Sequence, residues 1–251
     1  MMTPDTALDA LTAAADAVNA AKAADYHKTP RVYLGLTVPQ IETFVADWRA
    51  ATELPGRLTL ARALWDSNMH EARVAAAKLL TQARIRPDDA VWELICDWVP
   101  AFDAWAIADH AAKAGDRRLQ ADPTRLDKVE AWVVHPNLWT RRAALVMTLP
   151  WTRQNHPTAQ DRAIRDRVLD WAATLTGDRD WFIQKAIATW VRELSKHDPD
   201  RATRFLIEHG PYLKAFARNE AAQYLPDFLS ENILGGVRND VTSGAESPPK
   251  S

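Results

Sequence analysis

The chain has 251 residues, 47% of them hydrophobic, a formal net charge of −2 and a single cysteine, Cys96. That is enough apolar material for a substantial buried core; it excludes an intramolecular disulfide framework, and the near-neutral charge weighs against a strongly basic nucleic-acid binder. No cysteine and histidine cluster has zinc-ligand spacing, no run approaches the roughly 18 apolar residues of a membrane helix, and the Ala-rich amino terminus carries Asp5, Asp9 and Asp16, unlike a signal or transit peptide, so a cytoplasmic protein without structural metal is expected.

Ala, Leu, Arg and Glu recur at helical periods, glycines number only eight, and no alternating strand pattern is present, so the reading is all-α. The pattern predicts helices over 4–24, 38–51, 57–66, 69–84, 88–97, 101–114, 123–132, 137–148, 158–175, 180–196, 199–208 and 212–223. Several boundaries have a physical cause: Pro39 and Pro87 stand near helix entries, Gly56 precedes a helix, and Asp198-Pro199 opens the penultimate one. Past Leu234 the run GGVRNDVTSGAESPPKS has no apolar face to bury, and residues 235–251 are expected to be a disordered tail.

Five segments lie over one another: NMHEARVAAAKLL, AWAIADHAAK, NLWTRRAALVMTL, WFIQKAIATWVREL and LKAFARNEAAQYL. A shared slot falls at Arg73, Asp109, Arg142, Lys185 and Arg218, with spacings of 36, 33, 43 and 33 residues. Such spacing suits HEAT-type helical pairs, and the expected fold is an α-solenoid of about 12–14 helices, a right-handed superhelical stack. Residues 1–234 are expected to form one repeat domain with a concave face. Cations on that face would make a track for a polyanion, and residues 137–224 do hold fourteen Lys or Arg against ten Asp or Glu. One carboxylate, Asp109, interrupts the column.

Trp48, Trp65, Trp92, Trp98, Trp132 and Trp171 lie within apolar helical patterns and read as core. Trp105, Trp139 and Trp181 differ, because each stands three or four residues before a charged slot and shares its helical face. His110 points about 100° around the helix from Asp109, so the two are not read as a catalytic dyad. A lone anion among phosphate-binding cations needs a use, and stabilising a transient positive charge is one. Glycosidic bond hydrolysis passes through an oxocarbenium-like sugar; an alkylated, cationic purine leaves neutral without a proton donor, so one carboxylate suffices. A surface acid or a salt bridge is the plainer alternative for Asp109.

These residues resemble the HEAT-like-repeat DNA glycosylases of the DNA alkylation repair type, the alkylpurine glycosylases of the AlkD type. The likeness runs through YLGLTVPQIE at 33–42, LWDSNMHEARVAAAKLL at 64–80, WAIAD at 105–109, NLWTRRAAL at 137–145, and WFIQKAI with VREL at 181–194. The resemblance implies that Asp109 stabilises the cationic sugar and places water, that Trp105 contacts the lesion-bearing nucleotide, and that Arg142 holds a backbone phosphate. Arg141 is the alternative phosphate contact. With Arg73, Trp139, Trp181, Lys185, Trp190 and Arg218 it completes the expected DNA-binding set. The family's further tryptophan falls on Thr189, with Trp190 one place later, so Trp190 reads either as a DNA contact or as core.

The resemblance further implies a monomer that holds duplex DNA with alkylated purines by its backbone, without a deep base pocket and without a cofactor. Two other readings stay open: a non-catalytic HEAT-like protein recognising damaged or branched DNA by shape, and a protein-interaction scaffold.

Overall fold

The computed structural model describes residues 2–228, so the expected tail at 235–251 lies outside the described residues. Those residues fold into helices joined by turns and by longer irregular segments at 28–37 and 80–88, with no strand among them. The chain divides into two compact units, one ending at Pro123 and the other beginning at Thr124.

The first unit contains α1 (Pro4–Ala13), α2 (Ala17–His27), α3 (Val38–Ala51), α4 (Leu54–Asp66), α5 (His70–Leu79), α6 (Asp89–Trp98) and α7 (Trp105–Ala121). The expected helix over 4–24 is broken in two. Asp16 caps α2 by accepting from Val18 and Asn19 amides at 2.9 Å, while its own N–H leaves the helical ladder to reach the Leu34 carbonyl at 2.8 Å. Gly56 lies inside the first turn of α4, which begins earlier than expected, and α7 runs from 105 to 121 where the pattern gave 101–114. Thr37 and Gln40 form a capping box with Pro39 in the first turn of α3, as Pro39 signalled.

At the centre of this unit α5 packs against α3, α4 and α7. Its buried Ala72, Ala75, Ala76 and Ala77 allow close helix approach, and Trp65 stacks on Trp98 with ring centroids 4.3 Å apart. The segment 33–36 crosses the unit beside α5. The Glu71 carboxylate, 2% exposed, accepts the Leu34 and Gly35 amides at 2.9 and 2.8 Å, replacing the water those groups lose on burial. Gly35 has φ +77, and a Cβ there would stand 2.3 Å from the Asp16 carbonyl oxygen, so no other residue fits.

In the second unit are α8 (Leu126–Glu130), α9 (Leu138–Val146), α10 (Ala159–Thr174), α11 (Trp181–Ser195), α12 (Pro199–His209), α13 (Ala215–Ala221) and α14 (Pro226–Phe228). Asp198 caps α12 ahead of Pro199 as expected, whereas the helix expected over 123–132 is α8 flanked by 3-10 turns. The central α11 packs on α9, α12 and α13. Arg165, its side chain 1% exposed, donates to the Trp151 and Gln154 carbonyls at 2.8 Å each and to Asp198 at 3.2 Å. The six tryptophans read as core are all buried. No helix among the described residues is long and apolar enough to cross a membrane.

Candidate active site

Trp105 opens α7 and Asp109 follows one turn later, so the indole and the carboxylate share a face; both side chains are half-buried. The end of α2 lies against that indole: Tyr26 meets it edge-on with centroids 6.2 Å apart, and His27 lies at 5.7 Å. His27 in turn contacts His70 at 4.4 Å and stacks on Tyr33 at 5.8 Å. Burial pushes His70 down to about 3, helped by His27, Arg31 and His110, so its imidazole is neutral at physiological pH. Burial also lowers His27, with Glu71 opposing and Arg31 assisting. His110 is half-buried and depressed by burial and by Lys78, against the pull of Asp109 and Glu42.

Several slot cations serve their own unit. Arg73 donates from Nε to the Trp65 carbonyl at 3.1 Å, lies over the Trp65 ring at 4.9 Å and stands 3.8 Å from Asp103, which also pairs with Arg31. In the second unit Arg142 donates from Nη1 to the Phe182 carbonyl at 3.1 Å. Arg141 is paired with Asp178 at 2.7 Å and donates to the His135 and Pro136 carbonyls at 2.8 Å, a clasp on the loop before α9. Lys185 reaches Glu220 at 2.6 Å. Arg218 is half-buried beside Gly210.

First-turn aromatics of α9, α11 and α13 touch in sequence. Trp139 meets Phe182 at 4.6 Å, Phe182 meets Trp181 at 5.1 Å, and Trp181 stacks on Phe216 at 5.7 Å. All four are half-buried. Asn137 and Asp180 set these rings by capping their helices, each accepting an amide at 2.8 Å. Trp190 is a correction to the DNA-binding set: it is 0% exposed and donates from Nε1 to the Thr148 hydroxyl at 3.2 Å. The one-residue shift that leaves Thr189 half-buried turns the indole into the core.

The family model for the DNA alkylation repair enzyme matches residues 7–225. The chain belongs to the DNA alkylation repair enzyme family. No curated protein gives a match. Among solved structures, a predicted DNA alkylation repair enzyme from Enterococcus faecalis is similar at 22% identity and TM-score 0.70, over 84% of this chain and 96% of that one. AlkD2 from Streptococcus mutans is similar at 20% identity and TM-score 0.56, over 75% of this chain and 88% of that one. These likenesses show the shared helical-repeat fold.

Within this member of the DNA alkylation repair family, motif residues acquire structural causes. In YLGLTVPQIE, Tyr33 stacks on His70, Gly35 permits the crossing over α2, and Thr37 with Gln40 caps α3. Sequence reading passed over Tyr26, His27 and Glu220. Tyr26 and His27 fall just past the helix expected over 4–24, in a stretch where no motif or repeat slot marks a contact with Trp105; Glu220 lies in the fifth repeat segment, two residues past the Arg218 slot, where local spacing carries no sign of its partners.

Proposed function

We propose that this member of the family is a monofunctional DNA glycosylase acting in the cytoplasm as a monomer. It hydrolyses the N-glycosidic bond of N3- or N7-alkylated purines in duplex DNA. The observation that carries the reading is the half-buried Trp105–Asp109 pair on one face of α7, with Tyr26 and His27 against the indole.

An alkylated purine is already cationic, so it departs neutral with the bonding electrons while positive charge develops on the deoxyribose. The Asp109 carboxylate stabilises that charge and orients the water that adds to the anomeric carbon. Trp105 contacts the lesion-bearing nucleotide, and an indole face attracts a cation. Arg142 holds a backbone phosphate near the lesion. Backbone contacts position the duplex and carry little sequence preference.

Asp109→Asn keeps the shape and removes the charge. Release of 3-methyladenine and 7-methylguanine from methylated duplex is expected to fall by about 100-fold or more, the usual scale for losing one preorganised electrostatic group, with duplex binding retained. Equal rates for wild type and variant overturn the assignment. A second reading, a non-catalytic DNA binder, is favoured by α11, where Thr189 holds the surface position and Trp190 is interior. Free methylpurine released by the wild type excludes it.

A further inference from the structure

We propose that Glu220 is a built-in competitor for a DNA backbone phosphate, occupying the Lys185–Arg192 cation pair of α11 and setting how tightly the second unit holds duplex; this rests on the DNA-binding reading above. The two carboxylate oxygens are divided between the two cations. Oε2 accepts from Lys185 Nζ at 2.6 Å, and Oε1 accepts from Arg192 Nη1 at 2.5 Å. A phosphodiester offers the same arrangement, one negative charge spread over two oxygens.

Helix register explains why the carboxylate reaches this place. Trp181 on α11 stacks on Phe216 of α13, and one turn further along each helix Lys185 meets Glu220. The Lys185 side chain keeps 36% of its surface exposed while Glu220 keeps 15%, so the cation presents a face that a polyanion can approach. The two cations are not equally dependent on Glu220. Arg192 is bracketed by a second carboxylate, Glu193 at 3.2 Å, which Lys196 also pairs with at 2.9 Å. Among the described residues Glu220 is the carboxylate that pairs with Lys185. Removing the Glu220 charge therefore frees Lys185 first.

The experiment measures duplex affinity by fluorescence anisotropy from 50 to 200 mM salt for the full chain, Glu220→Gln, Lys185→Gln and the double variant. Each freed cation that meets a phosphate steepens the log–log salt slope by about 0.9, so Glu220→Gln is expected to bind about three- to tenfold more tightly at the low-salt end, with the slope steeper by about one. The gain is expected to vanish for the most part in the Lys185→Gln background. Glu220→Asp, which keeps the charge and shortens its reach, is expected to bind more tightly than wild type as well and serves if Glu220→Gln melts early. Unchanged or weaker binding by both variants overturns the proposal while leaving the DNA reading intact, provided wild type binds duplex. No duplex binding by wild type near 50 mM salt overturns both.

Discussion

The central helices of the two units, α5 and α11, face the same task with different chemistry. Each must bury its first turn beside irregular chain whose amides and carbonyls lose water. In α5 an anion does this: Glu71 takes the Leu34 and Gly35 N–H groups. In α11 a neutral amide does it: Gln184 donates to the Thr176 and Asp178 carbonyls at 3.1 and 2.8 Å and accepts from the Lys214 amide at 2.8 Å. What decides between them is the mixture of unpaired backbone groups in reach. Two donors call for a carboxylate, and donors together with acceptors call for an amide.

Exchanging the two side chains breaks this comparison most sharply. Gln184→Glu puts a carboxylate against two carbonyl oxygens inside the protein, and the loss is expected to be about 3–5 kcal/mol at neutral pH, read from urea unfolding. That loss should shrink at acid pH, where a protonated acid can donate again. A variant as stable as wild type at pH 7 would show that water satisfies the Thr176 and Asp178 carbonyls.

The reverse change, Glu71→Gln, leaves one oxygen to serve two amides and turns an NH2 toward a donor. About 1–3 kcal/mol is expected, with faster amide exchange at Leu34 and Gly35. No change in exchange there would mean that the crossing segment is held by its apolar neighbours alone.

The smallest effect concerns pH. His70 is held at about 3 in the folded state against an ordinary value of 6.5, so the unfolded chain binds the proton first as pH falls. Its neutral form is preferred by the fold, and stability is complete above 6.5 and declines as pH drops from 6.5 toward 3. At about pH 5.5 the loss is on the order of 1 kcal/mol, and His70→Asn should flatten that part of the profile. The second unit's acid-sensitive carboxylates titrate lower: burial raises Asp198, but Arg201 and Arg165 hold it below the ordinary carboxylate value, so its contribution is present above that value and is lost only as pH falls through the folded one. A wild-type stability profile that stays flat between pH 6.5 and 5.5 contradicts the His70 assignment.

Much of the fold was legible because it depends on local periodicity. The helical slots at Arg73, Arg142 and Lys185, the Asp198-Pro199 start and the six buried tryptophans all follow from which residues repeat at helical spacing. The Trp105–Asp109 face was legible for the same reason, since residues four apart on a helix share a side. Charge was legible only as a count. Arg141 reads as an alternative phosphate contact, yet Asp178, thirty-seven residues on, pairs with it. Trp190 shows the limit of a resemblance, because one residue of offset on a helix exchanges solvent for core.

Periodicity and capping residues by themselves determined that this chain is helical, where most helices begin, and which face of α7 pairs an indole with a carboxylate. Tertiary structure alone decided that Asp16 breaks the first helix to bond Leu34, that Tyr26 and His27 lie on Trp105, and that Glu220 holds Lys185. The physical reason is distance along the chain. Backbone hydrogen bonding within a helix joins residues a few positions apart, whereas the partner of a buried charge or ring is set by which helices pack together.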